Sequence, residues 1–433
     1  MKKLLFALTV LLSAGLCRAQ LPTGTWSGAL DIQGVSLTLV FHFAEDACTL
    51  DVPDQGAKGL KAMASLTTLG AVHVQVPSIG ATFEGFRFGD KINGKFEQNG
   101  LSFPLTLTPG APERKRPQTP QPPFPYTEED VSFTNGDAVL KGTLVLPEGC
   151  NRETPVLLMV TGSGLQDRDE TLFEHKPFAV IADFLARRGI ATLRYDDRGF
   201  GESTGDLVRV TTEDLKEDAA AGVALLRNRF AHVGVIGHSE GGTIALMLAA
   251  ENKADFVVSL AGVAVPGRET LLWQNREGLL QAGLDEKTVE SYCRALSDTF
   301  DAATGGLPLP APGDYDLPAA LKQNLAAVQA QLDMPYLRHF VQLDLAEQLG
   351  RITCPVLALN GTKDTQVDCA ANLGALKQGL PASARNEIRS LDGLNHLFQH
   401  CSTGLAAEYP QIEETFSPEA LSLIAGWLQS LRF

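Results

Sequence analysis

The chain has 433 residues, which is well above the size of an average domain, so two or more folding units are expected. Apolar residues make up 44% and charged residues 20% of it, a composition typical of folded proteins rather than disordered ones. Acidic residues outnumber basic ones 51 to 36, for a net charge of −15, which disfavours binding to nucleic acid or to an anionic membrane surface.

The first 19 residues have the pattern of a targeting segment. Lys2 and Lys3 precede an apolar run from Leu4 to Leu12, and small residues lead to Cys17-Arg18-Ala19. This order is typical of a secretory signal peptide, so we expect cleavage after Ala19 and export to the periplasm or the extracellular medium. Removal of Lys2, Lys3 and Arg18 would take the net charge from −15 to −18. No later segment is long and apolar enough to predict membrane insertion.

Six cysteines remain after the predicted cleavage, and export permits disulfides. They are Cys48, Cys150, Cys293, Cys354, Cys369 and Cys401. No pair has the spacing of a metal site, and no cluster of His, Cys and Glu indicates zinc, so we expect neither a metal nor a cofactor. Cys369 and Cys401 lie near the predicted active-site loops and are the candidate disulfide pair.

Residues 20–108 contain short runs of alternating apolar residues separated by turns, a pattern that predicts a small all-β sandwich or barrel. The runs are Thr25–Ile32, Val35–Phe43, Ala71–Val76, Thr82–Phe88, Lys91–Gln98 and Leu101–Leu107. Asn93-Gly94 and Asn99-Gly100 are dipeptides typical of hairpin turns. No nucleophile, base and acid come together in this region, which is therefore predicted to be an accessory domain.

Residues 109–127 are predicted to be a linker. Eight prolines fall between Phe103 and Tyr126, and a stretch this rich in proline favours an extended, semi-rigid conformation. The domain boundary is expected within it.

Residues 128–433 alternate buried strands with helices, the pattern of a doubly wound, mostly parallel α/β sheet. The strands are predicted at Pro155–Val160, Ile190–Leu193, Val233–Ile236, Phe256–Leu260 and Pro355–Leu359. The alternation stops at about residues 266–349, which are largely helical. We expect this insertion to form a cap over the carboxyl ends of the strands, where open α/β sheets bind ligands.

The strongest chemical signal is Gly-His-Ser-Glu-Gly-Gly at Gly237–Gly242. It directly follows the strand Val233–Ile236 and opens an apolar helix, which is the context that a G-x-S-x-G nucleophile elbow requires. Such a turn presents the serine hydroxyl at a helix N-terminus, where backbone dipoles favour developing negative charge. Ser239 is therefore the predicted nucleophile.

A serine hydroxyl needs a base, and the base needs an orienting acid. His396 is the best candidate for the base, because it lies in a loop between a strand and the final helix; His400 is the alternative. Asp364 follows the next predicted core strand after the cap and is the candidate acid, whereas Asp368 is better explained as a helix N-cap.

The catalytic region resembles the bacterial α/β-hydrolases of the carboxylesterase and serine-aminopeptidase-like group, from about Val131 to the C-terminus. The stretches that carry the resemblance are Thr161–Asp169, Arg194–Gly199, Gly237–Gly242, Gly361–Asp364 and Leu394–His396. The resemblance implies the catalytic order Ser239, Asp364, His396. It also implies an oxyanion hole formed by the backbone N–H groups of Glu240 and of Ser163, with Gly164 as the alternative second donor.

The carboxylate of Glu240 is unusual beside a nucleophile. We expect it to be paired by Arg168 or Arg198 on neighbouring loops and to be structural; contact with a cationic or hydroxyl-rich substrate is the alternative. The aspartates of these loops are interpreted as ion-pair partners rather than metal ligands. They are Asp167, Asp169, Asp196 and Asp197.

The apolar residues of the cap recur at helical spacing, which predicts that most of them pack against a core. Trp273 and Tyr292 are the predicted exceptions that line the substrate pocket, because an amphipathic aromatic ring can pack on one side and contact a ligand on the other. A closed cap would favour small or medium esters over long lipids and proteins.

Together these features predict a secreted serine hydrolase that cleaves carboxylic esters through an acyl-enzyme intermediate. Its predicted partner is a small-molecule ester, and neither nucleic acid nor a membrane is expected to be one. The alternatives are an amidase or peptidase of the aminopeptidase-like type and a non-catalytic binding protein on the same fold.

Overall fold

The computed structural model describes residues 21–32, 35–45, 47–53, 57–98, 100–111 and 114–433. The predicted signal peptide and Asn99 lie outside these residues. The chain divides into two compact units, residues 1–113 and residues 114–433. Among the described residues, no helix combines the length and the apolar composition that crossing a bilayer requires.

The first unit is a closed antiparallel barrel in which each strand pairs with the next and the first pairs with the last. Its strands are β1 (Gly24–Ile32), β2 (Val35–Phe43), β3 (Cys48–Val52), β4 (Ala57–Leu66), β5 (Val72–Val76), β6 (Ala81–Phe88), β7 (Lys91–Gln98) and β8 (Leu101–Pro109). Alternate residues such as Val72, Val74 and Val76 point into the barrel, where they are buried. The all-β prediction is confirmed, with a barrel as the form.

The prediction of a hairpin turn at Asn93-Gly94 is wrong. Both residues lie within β7, and Gly94 pairs with Gly85 on one side and Leu105 on the other. The requirement for glycine here is close packing, because a Cβ on Gly94 would lie 2.2 Å from the carbonyl oxygen of Glu84. The chain instead turns at Gly89, which has a φ of +63°.

The second half of the proline-rich segment belongs to the second unit and packs on it. The Arg116 guanidinium donates to the carbonyl oxygens of Phe173, Pro410 and Ile412 at 2.9–3.0 Å. Gln118 bonds to the backbone of Thr415 and Phe416. These contacts fix the segment to two loops of the second unit.

The second unit contains an eight-stranded sheet. Its strands are β9 (Tyr126–Asn135), β10 (Ala138–Pro147), β11 (Val156–Val160), β12 (Ala191–Tyr195), β13 (Val233–His238), β14 (Val257–Leu260), β15 (Val356–Gly361) and β16 (Glu387–Leu391). Their order is β16-β15-β14-β13-β11-β12-β10-β9. The strands from β16 through β15, β14, β13 and β11 to β12 are all parallel to one another. Strand β10 is antiparallel to both of its neighbours, β12 and β9. Because β12 and β13 flank β11 on opposite sides, the strand order reverses there, and a crevice is expected at the carboxyl ends of these strands.

Helices cover both faces of the sheet. They are α1 (Pro177–Ala186), α2 (Thr212–Arg227), α3 (Glu240–Ala250), α9 (Cys369–Gly379) and α10 (Pro418–Ser430). Successive residues of β11 contribute to two separate cores: Leu158 packs with residues of α2, α3 and α9, and Leu157 packs with residues of α1 and α10. Coverage on both faces explains why the parallel strands are apolar throughout, and it confirms the predicted fold class.

Five further helices lie between β14 and β15. They are α4 (Gly267–Gln281), α5 (Glu286–Gly305), α6 (Ala319–Leu332), α7 (Pro335–Gln342) and α8 (Ala346–Leu349). Residues of α5, α6 and α7 form a small core of their own. This cap supplies several of the residues that surround the candidate site.

Candidate active site

Ser239 lies at the sharp turn between β13 and α3. Its backbone has a φ of +52° and a ψ of −119°, a conformation that costs a non-glycine residue about 1–3 kcal/mol and persists only where the surrounding structure imposes it. Two glycines allow the turn. A Cβ on Gly237 would lie 2.0 Å from the carbonyl oxygen of Gly241, and one on Gly241 would lie 2.0 Å from that of Val160.

Asp364 and His396 come from loops that follow β15 and β16. The Nδ1 atom of His396 lies 2.7 Å from Oδ2 of Asp364, and both side chains are buried. The other carboxylate oxygen accepts hydrogen bonds from the backbone N–H groups of Gln366 and Val367. The carboxylate therefore holds the imidazole so that Nε2 remains available to a ligand.

The two alternative candidates for the base and the acid, His400 and Asp368, make other contacts. His400 is exposed and its Nδ1 bonds to Glu414 at 2.8 Å. Asp368 accepts hydrogen bonds from the N–H groups of Ala370 and Ala371 and so caps α9.

Ser239 and His396 line one cavity of about 460 Å³. The loop after β11 and the carboxyl ends of the parallel strands form the floor of this cavity. The cap and the loops around Phe173 and Tyr409 form its walls. The remaining lining residues are Gly162, Ser163, Gln166, Leu172, His238, Leu271, Gln274, Tyr336, Leu337, Phe340, Gln366, Leu397 and Ala406. None of these lining residues, all within the described range 114–433, is Asp, Glu, Lys or Arg.

The predicted oxyanion donors lie at the entrance to α3 and in the loop after β11. Within the described part of the chain, the backbone N–H groups of Ser163 and Glu240 have no acceptor. By contrast, the N–H of Gly162 is bound by the Glu170 carboxylate at 2.8 Å. Two free donors beside Ser239 form an arrangement that can accept a developing oxyanion.

The prediction that an arginine pairs Glu240 is wrong. Its carboxylate is buried and accepts hydrogen bonds from the hydroxyls of Thr212, at 2.6 Å, and Tyr336, at 2.5 Å. Burial raises the pKa of Glu240, and the bonds from these hydroxyls oppose that effect. Through these bonds the carboxylate links the start of α3 to α2 and to α7 of the cap.

Both arginines are held by other carboxylates. Arg168 bonds to Asp196 and Glu202, and Arg198 makes a buried bidentate pair with Asp218. Asp169 pairs with Arg194 and Lys176. These ion pairs fasten the loops around the site.

The other two loop aspartates bind neutral groups rather than cations. Asp197 accepts from the hydroxyl of Thr161 and from the N–H of Gln166, and burial raises the pKa of its carboxyl to about 8. Asp167 accepts from the N–H groups of Asp169 and Thr171. Both therefore shape the loop that carries Ser163.

The prediction that Tyr292 lines the pocket is wrong. Its side chain is fully buried in the core of the cap, and its hydroxyl bonds to Asn324. Trp273 lines a different cavity, of about 470 Å³, on the side of Asp364 that faces α9. Helix α4 explains the difference, because it points Leu271 and Gln274 into the cavity of Ser239 and turns Trp273 away.

Sequence reasoning missed two polar residues of the site, Tyr336 and Glu170. Tyr336 follows Pro335, a typical first residue of a helix. That proline indicated the start of α7, but nothing in the sequence indicated that Tyr336 contacts Glu240. Glu170 lies in a loop one residue beyond the recognised stretch Thr161–Asp169, and no periodicity marks it. The six cysteines of the described chain are all free, so Cys369 and Cys401 form no disulfide.

The chain is similar to several known proteins. The chain is 30% identical to the esterase EstD of Thermotoga maritima over 279 residues, which cover 64% of this chain and 61% of that protein. It thus spans less than two thirds of the length of this relative. A proline iminopeptidase of Mycobacterium smegmatis aligns with 70% of this chain and 98% of its own, at 18% identity and a TM-score of 0.44. An esterase of Pyrococcus furiosus aligns with 70% of this chain and 93% of its own, at 17% identity and a TM-score of 0.41.

The family assignment rests on a separate match. The sequence pattern of the alpha/beta hydrolase family matches residues 157–408, more than half of the chain, and the match includes Ser239, Asp364 and His396. The protein therefore belongs to the alpha/beta hydrolase family.

Proposed function

We propose that the protein is an exported serine esterase that hydrolyses uncharged carboxylic esters of small to medium size. Ser239 attacks the ester carbonyl while His396 takes its proton, and Asp364 orients and stabilises the resulting imidazolium. His396 then gives that proton to the alcohol oxygen as the ester C–O bond breaks, so that the alcohol departs and the acyl group stays on Ser239. The acyl-enzyme is then hydrolysed by the same steps with water as the nucleophile. The N-terminal basic and apolar pattern supports export, and a mature N-terminus at Gln20 would test it.

The observation that carries the proposal is the shared cavity of Ser239 and His396, which has no Asp, Glu, Lys or Arg among the described residues that line it. Leucine and phenylalanine side chains form its apolar lining, and its polar groups are amides, hydroxyls and the imidazoles of His238 and His396, with no carboxylate, lysine or arginine among them. A charged substrate group would lose its hydration there without gaining a counter-ion, a large unfavourable term. Neutral acyl groups avoid this cost.

The same lining favours the ester function over the aminopeptidase alternative. An aminopeptidase must bind a substrate ammonium group, which calls for a carboxylate at the pocket. Glu240 is the nearest carboxylate by sequence to Ser239, but its oxygens are engaged by Thr212 and Tyr336. The 30% identity to an esterase supports the same choice.

A fluorophosphonate probe tests the catalytic assignment, and matched substrates test the substrate class. We expect wild-type protein to be labelled at Ser239 and to hydrolyse p-nitrophenyl butyrate. Butyryl p-nitroanilide and the p-nitrophenyl ester of a free amino acid should be much poorer substrates. A preference for the anilide or for the amino-acid ester would contradict the proposal, and absence of labelling would favour a binding protein.

Truncation of one cap residue should change the preferred acyl length. Leu271 lines the cavity of Ser239, so Leu271→Ala adds space there and should shift the preference among p-nitrophenyl esters towards longer chains. Trp273→Ala, two residues further along α4, is the matched control and should leave the preference unchanged, because Trp273 lines the other cavity. A shift with Trp273→Ala alone would contradict this assignment of the walls.

Tyr336→Phe should destabilise the protein through Glu240. Loss of one hydroxyl from a buried carboxylate costs about 1–3 kcal/mol, measured as the free energy of unfolding. When Glu240 is replaced by Gln, the same Tyr336→Phe change should lower the free energy of unfolding by less, because a buried neutral amide loses less than a buried carboxylate when a hydrogen bond is removed. Tyr315→Phe is the control, because the Tyr315 hydroxyl bonds to the exposed carboxylate of Asp298. Water can replace that bond, so the free energy of unfolding should change little. Equal costs in both backgrounds would argue against coupling through Glu240.

A further inference from the structure

A second histidine lies directly beneath the proposed catalytic base. His238, the last residue of β13, is buried, and its ring centroid is 4.6 Å from that of His396. Its Nε2 lies 2.9 Å from the carbonyl oxygen of His396, and its Nδ1 lies 2.9 Å from Oε1 of Glu170. The acyl-transfer steps proposed above do not use this ring.

The partners of His238 determine what its nitrogens do. A carbonyl oxygen can only accept, so Nε2 carries a hydrogen and donates it to the backbone of His396. Burial opposes a positive charge on His238, but the charge of Glu170 and its hydrogen bond outweigh burial and raise the pKa of His238. The ring is thus a fixed donor to the base's own peptide group.

Glu170 extends this connection to the oxyanion loop. The oxygen that faces His238 also accepts the N–H of Gly162 at 2.8 Å, and Gly162 directly precedes the predicted donor Ser163. Glu170 itself has a φ of +53°, an unfavourable conformation for a residue other than glycine that the surrounding contacts must impose. One carboxylate and one imidazole therefore join the oxyanion loop to the loop of His396.

We propose that Glu170 and His238 are positioning residues that hold the oxyanion donor and the catalytic base in register at the end of β13. The proposal rests on the serine-esterase function argued above. Both parts must meet the same tetrahedral intermediate, so a relative displacement of about 1 Å is enough to lower the rate of the chemical step by roughly 100-fold. Neither residue takes part in the transfer of the Ser239 proton, although the ring of His238 also lines the cavity.

The test measures kcat and KM separately, together with the melting temperature. We expect His238→Asn and Glu170→Ala each to lower kcat by roughly 10- to 100-fold while KM changes by less than about threefold. Glu170→Gln should recover most of the rate. Its amide oxygen can take the place of Oε1, where it accepts the N–H of Gly162 and, when His238 carries a hydrogen on Nδ1, that N–H as well.

The same strand provides a matched control. His232 directly precedes β13 at its opposite end and pairs with Glu153 at 3.4 Å, so His232→Asn breaks a similar pair away from the cavity and should leave kcat unchanged. If Glu170→Ala does not fold, His238→Asn and Glu170→Gln still decide the question. A wild-type kcat in His238→Asn would overturn the proposal, as would a loss in Glu170→Gln as large as that in His238→Asn.

Fluorophosphonate labelling separates this inference from the esterase function. Labelling of Ser239 in the wild type, with slower labelling in His238→Asn at an unchanged melting temperature, supports both. Equal labelling rates in the two proteins overturn the positioning role alone. Absence of labelling in the wild type overturns the esterase function itself.

Discussion

Ser239→Ala should abolish ester hydrolysis and leave the fold intact. The hydroxyl is the proposed attacking group, and loss of a triad member lowers kcat by about 10⁴- to 10⁶-fold. The side chain lines the cavity rather than a core, so the melting temperature should change little. The substitution should not relieve the backbone strain at residue 239 either, because a φ of +52° is as unfavourable for alanine as it is for serine.

The measurement is the hydrolysis rate of p-nitrophenyl butyrate by purified protein, with fluorophosphonate labelling in parallel. Ser422→Ala is a suitable control, since that hydroxyl bonds to the carbonyl of Pro418 within α10 and is exposed. Turnover near the wild-type rate in Ser239→Ala would show that the nucleophile lies elsewhere.

Asp364→Asn should also be strongly damaging, with a loss in kcat of about 10⁴-fold. The carboxylate oxygen 2.7 Å from Nδ1 of His396 selects the tautomer in which Nε2 can take the proton of Ser239. An amide in its place can donate to Nδ1 and so favour the wrong tautomer. Two backbone N–H groups hold the other oxygen, so the substituted side chain should stay in position.

His396→Ala should be at least as inactive as Asp364→Asn, because it removes the proposed base altogether. His400→Ala is the control for both variants. It should retain activity, since His400 is exposed and paired with Glu414. Loss of activity in His400→Ala with retention in His396→Ala would reverse the assignment of the base.

Local sequence was sufficient where neighbouring residues determine the structure. The elbow at Ser239 is encoded within six consecutive residues, because glycine is required where a Cβ would lie 2.0 Å from a carbonyl oxygen. The parallel sheet was also predictable, since strands covered on both faces are continuously apolar. In the barrel, β4 (Ala57–Leu66) was missed because its sequence alternates with small and charged residues and has few large apolar ones.

The positions of Asp364 and His396 were predictable for a different reason. Each directly follows a strand of the parallel sheet, and the carboxyl ends of such strands meet at one edge. The order of the residues along the chain and the strands that they follow therefore predict that these side chains lie close together. No comparable rule applies to the cap, whose helices pack through their own core, so sequence spacing did not show that Tyr292 faces that core and Trp273 a separate cavity.

The sequence by itself determined the two-unit organisation, the α/β architecture and the candidate nucleophile, acid and base, because local backbone requirements and strand periodicity encode them. Only the tertiary structure decided the partners of the buried polar groups: Glu240 with Thr212 and Tyr336, and His238 with Glu170. The physical reason is that a buried carboxylate or imidazole must find a hydrogen-bond partner wherever the fold supplies one. That partner can come from any distance along the chain, as Tyr336 does from 96 residues away.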